Sequence, residues 1–203
     1  GLDNIDVAEC TARGIPVTNV PDYCLTEVAE HTLALLMALG RKIGFYHGET
    51  KAGRYQLQAG PELRRLAGQT LGIVGLGAIG RTVADKARAL GLRVLATTRT
   101  PRPHPGVTSC SLDEVLVASD YVSLHAPLTS ETRGLIGARE LALMKPTAYL
   151  INTSRGPMVD AEALAAAVQN EQIAGAAIDV FDQEPPPPSH PFFALDKIIL
   201  TPH

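Results

Sequence analysis

Three side chains of this sequence are the best suited to chemistry. They are Arg155 in Asn152-Thr-Ser-Arg-Gly156, Glu184 in Asp179-Val-Phe-Asp-Gln-Glu-Pro185 and His203 in Thr201-Pro-His203. Each follows a short apolar stretch that reads as a buried strand. A guanidinium at such a strand end clamps a carboxylate bidentately and polarises a neighbouring carbonyl. An imidazole titrates near neutrality and gives or takes a proton. A carboxylate against it favours the imidazolium, its acid form. Upstream, Gly75-Leu-Gly-Ala-Ile-Gly80 lies where a strand becomes a helix. Its first glycine permits a tight turn, its second lets backbone approach a pyrophosphate, and its third brings helix and strand together. A dinucleotide beside an acid clamp and a proton donor is a set of parts for hydride transfer.

Each part has a plainer reading when taken alone. A lone arginine is most often a surface ion pair, Glu184 is a loop carboxylate before a proline run, and His203 is a terminal residue. The glycine run by itself is a tight strand-to-helix turn. Their common position at strand ends of one domain favours the chemical reading. Asp179 closes another strand, where its carboxylate is suited to accept a hydrogen bond from a nicotinamide amide. His125-Ala-Pro127 ends a further one, with Ala126 and Pro127 placed for contacts along a cofactor. His31 and His47 read as packed or surface histidines.

The strand after the glycine turn ends Ala96-Thr-Thr-Arg-Thr-Pro-Arg102. An Asp or Glu there would bind the adenosine ribose hydroxyls of NAD. The acid is absent. Arg99 is suited to pair with a 2′-phosphate and Thr98 to donate to it, so the sequence favours NADPH over NADH.

The elements that must carry these residues alternate regularly. Strands are expected at Thr70–Val74, Arg93–Thr97, Tyr121–Leu124, Ala148–Ile151, Ile173–Ile178 and Ile198–Leu200. Helices are expected at Ala78–Leu90, from the capping box Ser111-Leu-Asp-Glu114, at Ala138–Met144 and at Ala161–Gln169 after Asp160. This order implies an α/β fold, a doubly wound Rossmann-type parallel sheet with helices on both faces. Before it, Gly14–Val20 is a β-rich run and Thr26–Arg41 a helix more apolar than solvent exposure requires. Residues 44–68 lack a period and read as a helix and a long surface connection.

Composition narrows the function. A net charge of −3 without a basic block argues against nucleic acid or an anionic membrane as partner. The longest apolar run, near Leu33–Leu39, is far short of a membrane span, and no signal peptide is evident. Cys10, Cys24 and Cys110 lack metal-ligand spacing and read as reduced thiols of a cytoplasmic protein. No metal site is expected. The chain starts at Gly1 and stops just after a strand-like run, as a piece of a longer polypeptide would.

These features together resemble the D-isomer-specific 2-hydroxyacid dehydrogenases. The likeness runs from Gly1-Leu-Asp-Asn-Ile-Asp6 through Val74–Arg81, His125–Thr129, Asn152–Asp160, Ala174–Phe181 and Glu184-Pro185 to Thr201-Pro-His203. Within the family, residues 60–66 and 184–188 look most like the C-terminal-binding-protein branch, and Thr98-Arg99 resembles NADPH-preferring glyoxylate and hydroxypyruvate reductases. The resemblance implies that Arg155 binds the substrate carboxylate and keto oxygen, His203 is the acid/base and Glu184 orients and charges it. It implies that Gly75, Gly77, Ala78, Ile79 and Gly80 hold the pyrophosphate. Ala126, Pro127, Thr153, Ser154 and Asp179 would line the nicotinamide side.

The same resemblance makes residues 1–24 a remnant of a flavodoxin-like substrate domain and 25–203 the dinucleotide-binding domain. The Thr26–Arg41 helix would carry a homodimer contact. The expected activity is hydride transfer between NAD or NADP and C2 of a small 2-keto or 2-hydroxy acid. The chain alone is expected to bind cofactor and turn over poorly. The alternative is a dimeric NAD(H)-sensing protein that docks short peptides.

Overall fold

The computed structural model describes residues 5–55, 60, 62–100 and 103–203. Residues 1–4 of the first family-like motif, residues 56–59 and Pro61 of the surface connection, and Pro101 and Arg102 after Arg99 lie outside the described residues.

Chain order is α1 (Val7–Ala12), α2 (Leu25–Gly40), α3 (Ile43–Lys51), β1 (Thr70–Val74), α4 (Ala78–Ala89), β2 (Arg93–Thr97) and β3 (Val107–Ser109). It continues with α5 (Leu112–Ala118), β4 (Tyr121–Leu124), α6 (Ala138–Leu143), β5 (Tyr149–Asn152), α7 (Ala161–Gln169), β6 (Gly175–Ile178) and β7 (Ile198–Leu200). Single 3-10 turns occupy Gly156–Met158 and Pro191–Ala194. The seven strands form one sheet in the order β3-β2-β1-β4-β5-β6-β7, and every pairing is parallel. The Rossmann-type doubly wound sheet expected from the alternation is present.

The strand sequences explain this. β1, β4, β5 and β6 are buried along their whole length, as continuous apolar strands covered on both faces must be. One core, around Val122, Leu124, Leu150 and Leu164, lies on the face covered by α5, α6 and α7. The other, around Leu36, Leu71, Ile73 and Val83, lies under α2 and α4. Strand order reverses between β1 and β4, so the crevice for a ligand opens beyond their carboxyl ends.

Local chemistry sets the helix starts. Ser111 and Glu114 form the capping box of α5, with Glu114 Oε2 accepting from Ser111 N at 2.8 Å. Asp160 caps α7 by accepting from Ala163 N at 3.0 Å. At the amino edge, Asp120 accepts from Thr70 N and Lys145 Nζ at 2.8 and 2.9 Å, tying β1 to the turn before β5.

Several expectations are corrected. Gly14–Val20 forms no strand: no strand of the described chain lies beside it, and Ile15 and Val20 stay exposed. Residues 7–12 form a short helix that apolar period alone did not indicate; Asp6 caps it by accepting from Glu9 N at 2.9 Å. β3 went unread because it is a three-residue edge strand without buried residues. β5 ends at Asn152, one residue later than expected, and β6 begins only at Gly175. The apolar surplus of α2 belongs to its own chain, since Ala29, Leu33, Leu35, Leu36 and Leu39 are buried against the sheet and α4. Burial of such leucine side chains contributes roughly 1.5–3 kcal/mol each.

Candidate active site at the carboxyl edge of the sheet

The β1 ladder continues past Val74: His125 N donates to Val74 O at 2.7 Å and Gly75 N to Thr97 O at 2.9 Å. These bonds hold the glycine turn between the ends of β2 and β4. Gly75 has φ +100°, and a Cβ there would stand 2.6 Å from Ala126 N. A Cβ on Gly80 would meet Gly75 O at 2.2 Å. Both glycines are therefore demanded by the fold itself. Gly77 is different, because a Cβ there meets nothing within 4 Å. Its glycine answers to nothing among the described residues and suits a ligand's close approach. α4 starts at Ala78 without a side-chain cap, which leaves first-turn N–H groups for an anion.

A crevice of about 420 Å³ opens over this turn. Gly75, Gly77, Thr98, Arg99, Ala126 and Pro127 of the predicted cofactor set line it, with His125, Glu131 and Thr132 among the rest. Gly80 is buried and Ile79 packs its side chain on the core, so both serve the turn from behind. Arg99 Nη1 donates to Glu131 Oε2 at 2.9 Å, joining the β2 end to the loop after β4. With the two side chains 81% and 66% exposed, this pair contributes at most about 1 kcal/mol and is open to exchange. Glu131 carried no signal in the sequence, since only the fold brings it across the crevice.

The three chemical residues lie beyond the next strand ends. Asn152, buried at the end of β5, shapes the following turn: its Oδ1 accepts from Ser154 N at 3.0 Å and its Nδ2 donates to Arg155 O at 2.9 Å. Ser154 Oγ donates to Ala126 O at 2.6 Å, which joins this turn to the crevice wall. Thr153 Oγ1 and Thr32 Oγ1 of α2 share a buried hydrogen bond of 2.8 Å. Arg155 Nη1 donates to Ser154 O at 2.7 Å. A Cβ on Gly156 would sit 1.9 Å from Phe181 C, so that glycine brings the Arg155 turn against the segment carrying Glu184.

Glu184 Oε2 and His203 Nδ1 are 2.7 Å apart. Glu184 Oε1 also accepts from Phe181 N at 3.0 Å. Burial raises the Glu184 carboxyl, but the His203 and Phe181 hydrogen bonds and the charges of His203 and Arg155 outweigh it, and the net direction is down. An ionised Glu184 is the state that steadies a protonated His203.

Asp179 follows β6. Its Oδ1 accepts from Thr201 Oγ1 at 2.6 Å and from His203 N at 3.2 Å. His31 Nε2, on α2, lies 3.0 Å from Thr201 Oγ1 and 3.3 Å from Asp179 Oδ1. His31 is thus a half-buried helix residue, as its sequence reading allowed, with a partner that reading did not identify. His31 and Thr32 had no motif to mark them, because their partners lie 170 and 121 residues away. Among the described residues, no group of His, Cys, Asp and Glu is arranged to hold a metal ion. Among the same residues, no helix is long and apolar enough to cross a membrane.

Two measurements probe this wall. Gly77→Ala should keep the thermal unfolding midpoint within a few degrees yet weaken NAD(P)H binding by about tenfold or more, whereas Gly80→Ala should lower the midpoint markedly. Equal loss of stability in both would contradict the distinction. His125, with Ser123 Oγ at 2.9 Å from its Nε2, is pushed down to about 4 by burial. Its folded state thus resists a proton that the unfolded chain accepts near 6.5, so stability falls as pH drops from about 6.5 to about 4. The loss is at most about 3 kcal/mol. In urea titrations, His125→Gln should flatten that segment of the pH profile.

Comparison with known proteins places this geometry. Residues 33–203 match the family model described as D-isomer specific 2-hydroxyacid dehydrogenase, NAD binding domain. Over its whole length the chain is 43% identical to a glyoxylate reductase of Korarchaeum cryptofilum, of which it spans 63%. A D-lactate dehydrogenase structure from Aquifex aeolicus, complexed with NAD and lactic acid, is 35% identical, with a TM-score of 0.93 over all of this chain and 66% of that one. An acyclic imino acid reductase structure with NADPH and D-Arg is 34% identical, with a TM-score of 0.91 over 98% of this chain and 64% of that one. The fold, the glycine turn and these matches agree: the chain belongs to the D-isomer specific 2-hydroxyacid dehydrogenase family and is its NAD-binding domain.

Proposed function

We propose that the chain forms the cofactor-binding wall of an oxidoreductase acting on a small 2-keto or 2-hydroxy acid. The observation that carries this reading is the His203–Glu184 pair at 2.7 Å after β7 and β6, with Arg155, one strand along from the crevice, near enough for its charge to act on Glu184. A nicotinamide dinucleotide bound in the crevice would supply or accept the hydride. Arg155 would bind the substrate carboxylate and draw electron density toward the keto oxygen. His203 would give the proton that makes the hydroxyl, from the ring nitrogen opposite the one facing Glu184. Glu184 would hold the imidazole in register and favour its charged form.

The pyrophosphate would rest on Gly75, Gly77 and the first turn of α4 at Ala78, Ile79 and Gly80. Ala126, Pro127, Thr153, Ser154 and Asp179 would line the nicotinamide side. The chain spans 62–64% of the first curated relatives, apart from the longer phosphoglycerate dehydrogenases, of which it covers less than half. The activity is accordingly proposed for the longer protein, with slow or absent turnover by these 203 residues alone. Rapid reduction of glyoxylate or hydroxypyruvate by the 203-residue chain would overturn that restriction. In the longer protein, His203→Ala and Arg155→Ala should each cut kcat/KM by about a hundredfold or more. Activity unaffected by both would refute the site.

NADPH is the proposed cofactor. Support comes from Thr98 and Arg99 at the β2 end, where an acid would repel a 2′-phosphate. The exposed Arg99–Glu131 pair is weak enough for a dianionic phosphate to displace. Separate titrations with NADH and NADPH test this. Arg99→Ala should weaken NADPH about tenfold and leave NADH nearly unchanged, while Glu131→Gln should tighten NADPH a few fold. Tighter binding of NADH together with an inert Arg99→Ala would sink the phosphate-pocket reading.

A further inference from the structure

We propose that His31 is a positioning residue: by donating from Nε2 to Thr201 Oγ1, whose own hydrogen goes to Asp179, it fixes the carboxylate that receives the nicotinamide amide. The inference rests on the reading of Asp179 as a nicotinamide-side residue and adds to it a group on α2 with no other assigned part.

The hydrogen-bond directions follow from a count of protons. Thr201 has one hydroxyl hydrogen, and it goes to Asp179 Oδ1 at 2.6 Å. Toward His31, the threonine oxygen is therefore an acceptor. A carboxylate oxygen is an acceptor too. His31 Nε2, 3.0 Å from one and 3.3 Å from the other, must carry the hydrogen. The neutral tautomer protonated only at Nδ1 would set the Nε2 lone pair against two acceptor oxygens and is excluded by this geometry.

Two donors thus bond one oxygen, the Thr201 hydroxyl and the His203 amide, and the His31 imidazole, bonded to Thr201 Oγ1, stands 3.3 Å from it. The two bonds from the segment after β7, with His31 of α2 holding the Thr201 hydroxyl turned toward the carboxylate, set its rotation. Asp179 is only 14% exposed, so water does little of this work. α2 itself is held rigidly, with Thr32, the next residue, bonded to both Val28 O and Thr153 Oγ1 at 2.8 Å. His31 therefore approaches Asp179 from a fixed scaffold, as precise positioning requires.

Loss of His31 should then affect the nicotinamide end and spare the adenosine end. The test compares NADH with ADP-ribose, which lacks the nicotinamide, or NADPH with 2′-phospho-ADP-ribose if NADPH binds more tightly. In His31→Leu, the dissociation constant of the full cofactor should rise about tenfold while that of the truncated ligand stays within about twofold. His31→Gln, whose amide N–H can reach the same acceptors, should recover most of the loss. Should His31→Leu fail to fold, His31→Asn, whose amide is too short to reach Asp179, takes its place. Equal weakening of both ligands, or no weakening of either, would overturn the proposal. Asp179→Ala separates the two ideas. If it weakens the full cofactor selectively and His31→Leu does not, the His31 assignment is wrong and the Asp179 reading stands. If Asp179→Ala spares the full cofactor, the Asp179 reading itself fails.

Discussion

The parallel ladder of β1, β4, β5, β6 and β7 is the constraint on which the rest depends. Because all five run the same way, their carboxyl ends finish on one edge, and the chain must leave each at that edge. Gly75, His125, Asn152, Asp179 and Thr201 all lie at or just past those ends. Four of these junctions continue the ladder by one backbone bond: His125 N to Val74 O, Gly75 N to Thr97 O, Asp179 N to Asn152 O and Thr201 N to Ile178 O. The backbone thus brings groups from distant parts of the sequence together before any side chain contributes.

Side chains then convert an edge into a site. Asn152 bonds its own turn twice, which costs nothing in burial because both its amide groups are satisfied. Ser154 reaches to Ala126, Thr153 to Thr32, and His203 to Glu184. Among the described residues, no buried side-chain polar atom is left without a partner. Such closure matters for function, since an imidazole or carboxylate loose by an ångström loses much of its effect on a reacting group. The Glu184 carboxyl also shows how the cluster is balanced: burial opposes its ionisation, and the groups around it restore the charge.

Much of this was legible from residue order. The alternation of short apolar strands with helices gave the sheet, and the glycine spacing located its crevice. Strand ends predicted at Val74, Thr97, Leu124, Ile178 and Leu200 coincide with those observed. Pairing was harder to read. Gly14–Val20 has β-forming residues but no neighbour to pair with, and β3 has a neighbour but almost no apolar signal. Strand formation in both cases is decided by what lies alongside, which local sequence does not state. The helix α2 shows the same limit. Its apolar excess was visible, but its destination, the sheet of its own chain, was not.

The site divides along similar lines. Arg155, Glu184 and His203 stood out as candidates because each stands in a short, composition-rich motif at a strand end. Their supports were not. His31, Thr32 and Glu131 sit in unremarkable helical or loop sequence, and their meaning comes only from partners far along the chain: Thr201, Thr153 and Arg99. A residue that acts directly on a ligand must have a particular chemistry, and that chemistry shows in its type. A residue that holds another in place needs only a donor or acceptor at the right distance, which many residue types supply. Sequence therefore tends to reveal the groups that would touch substrate and cofactor, while folding is needed to reveal the groups that aim them.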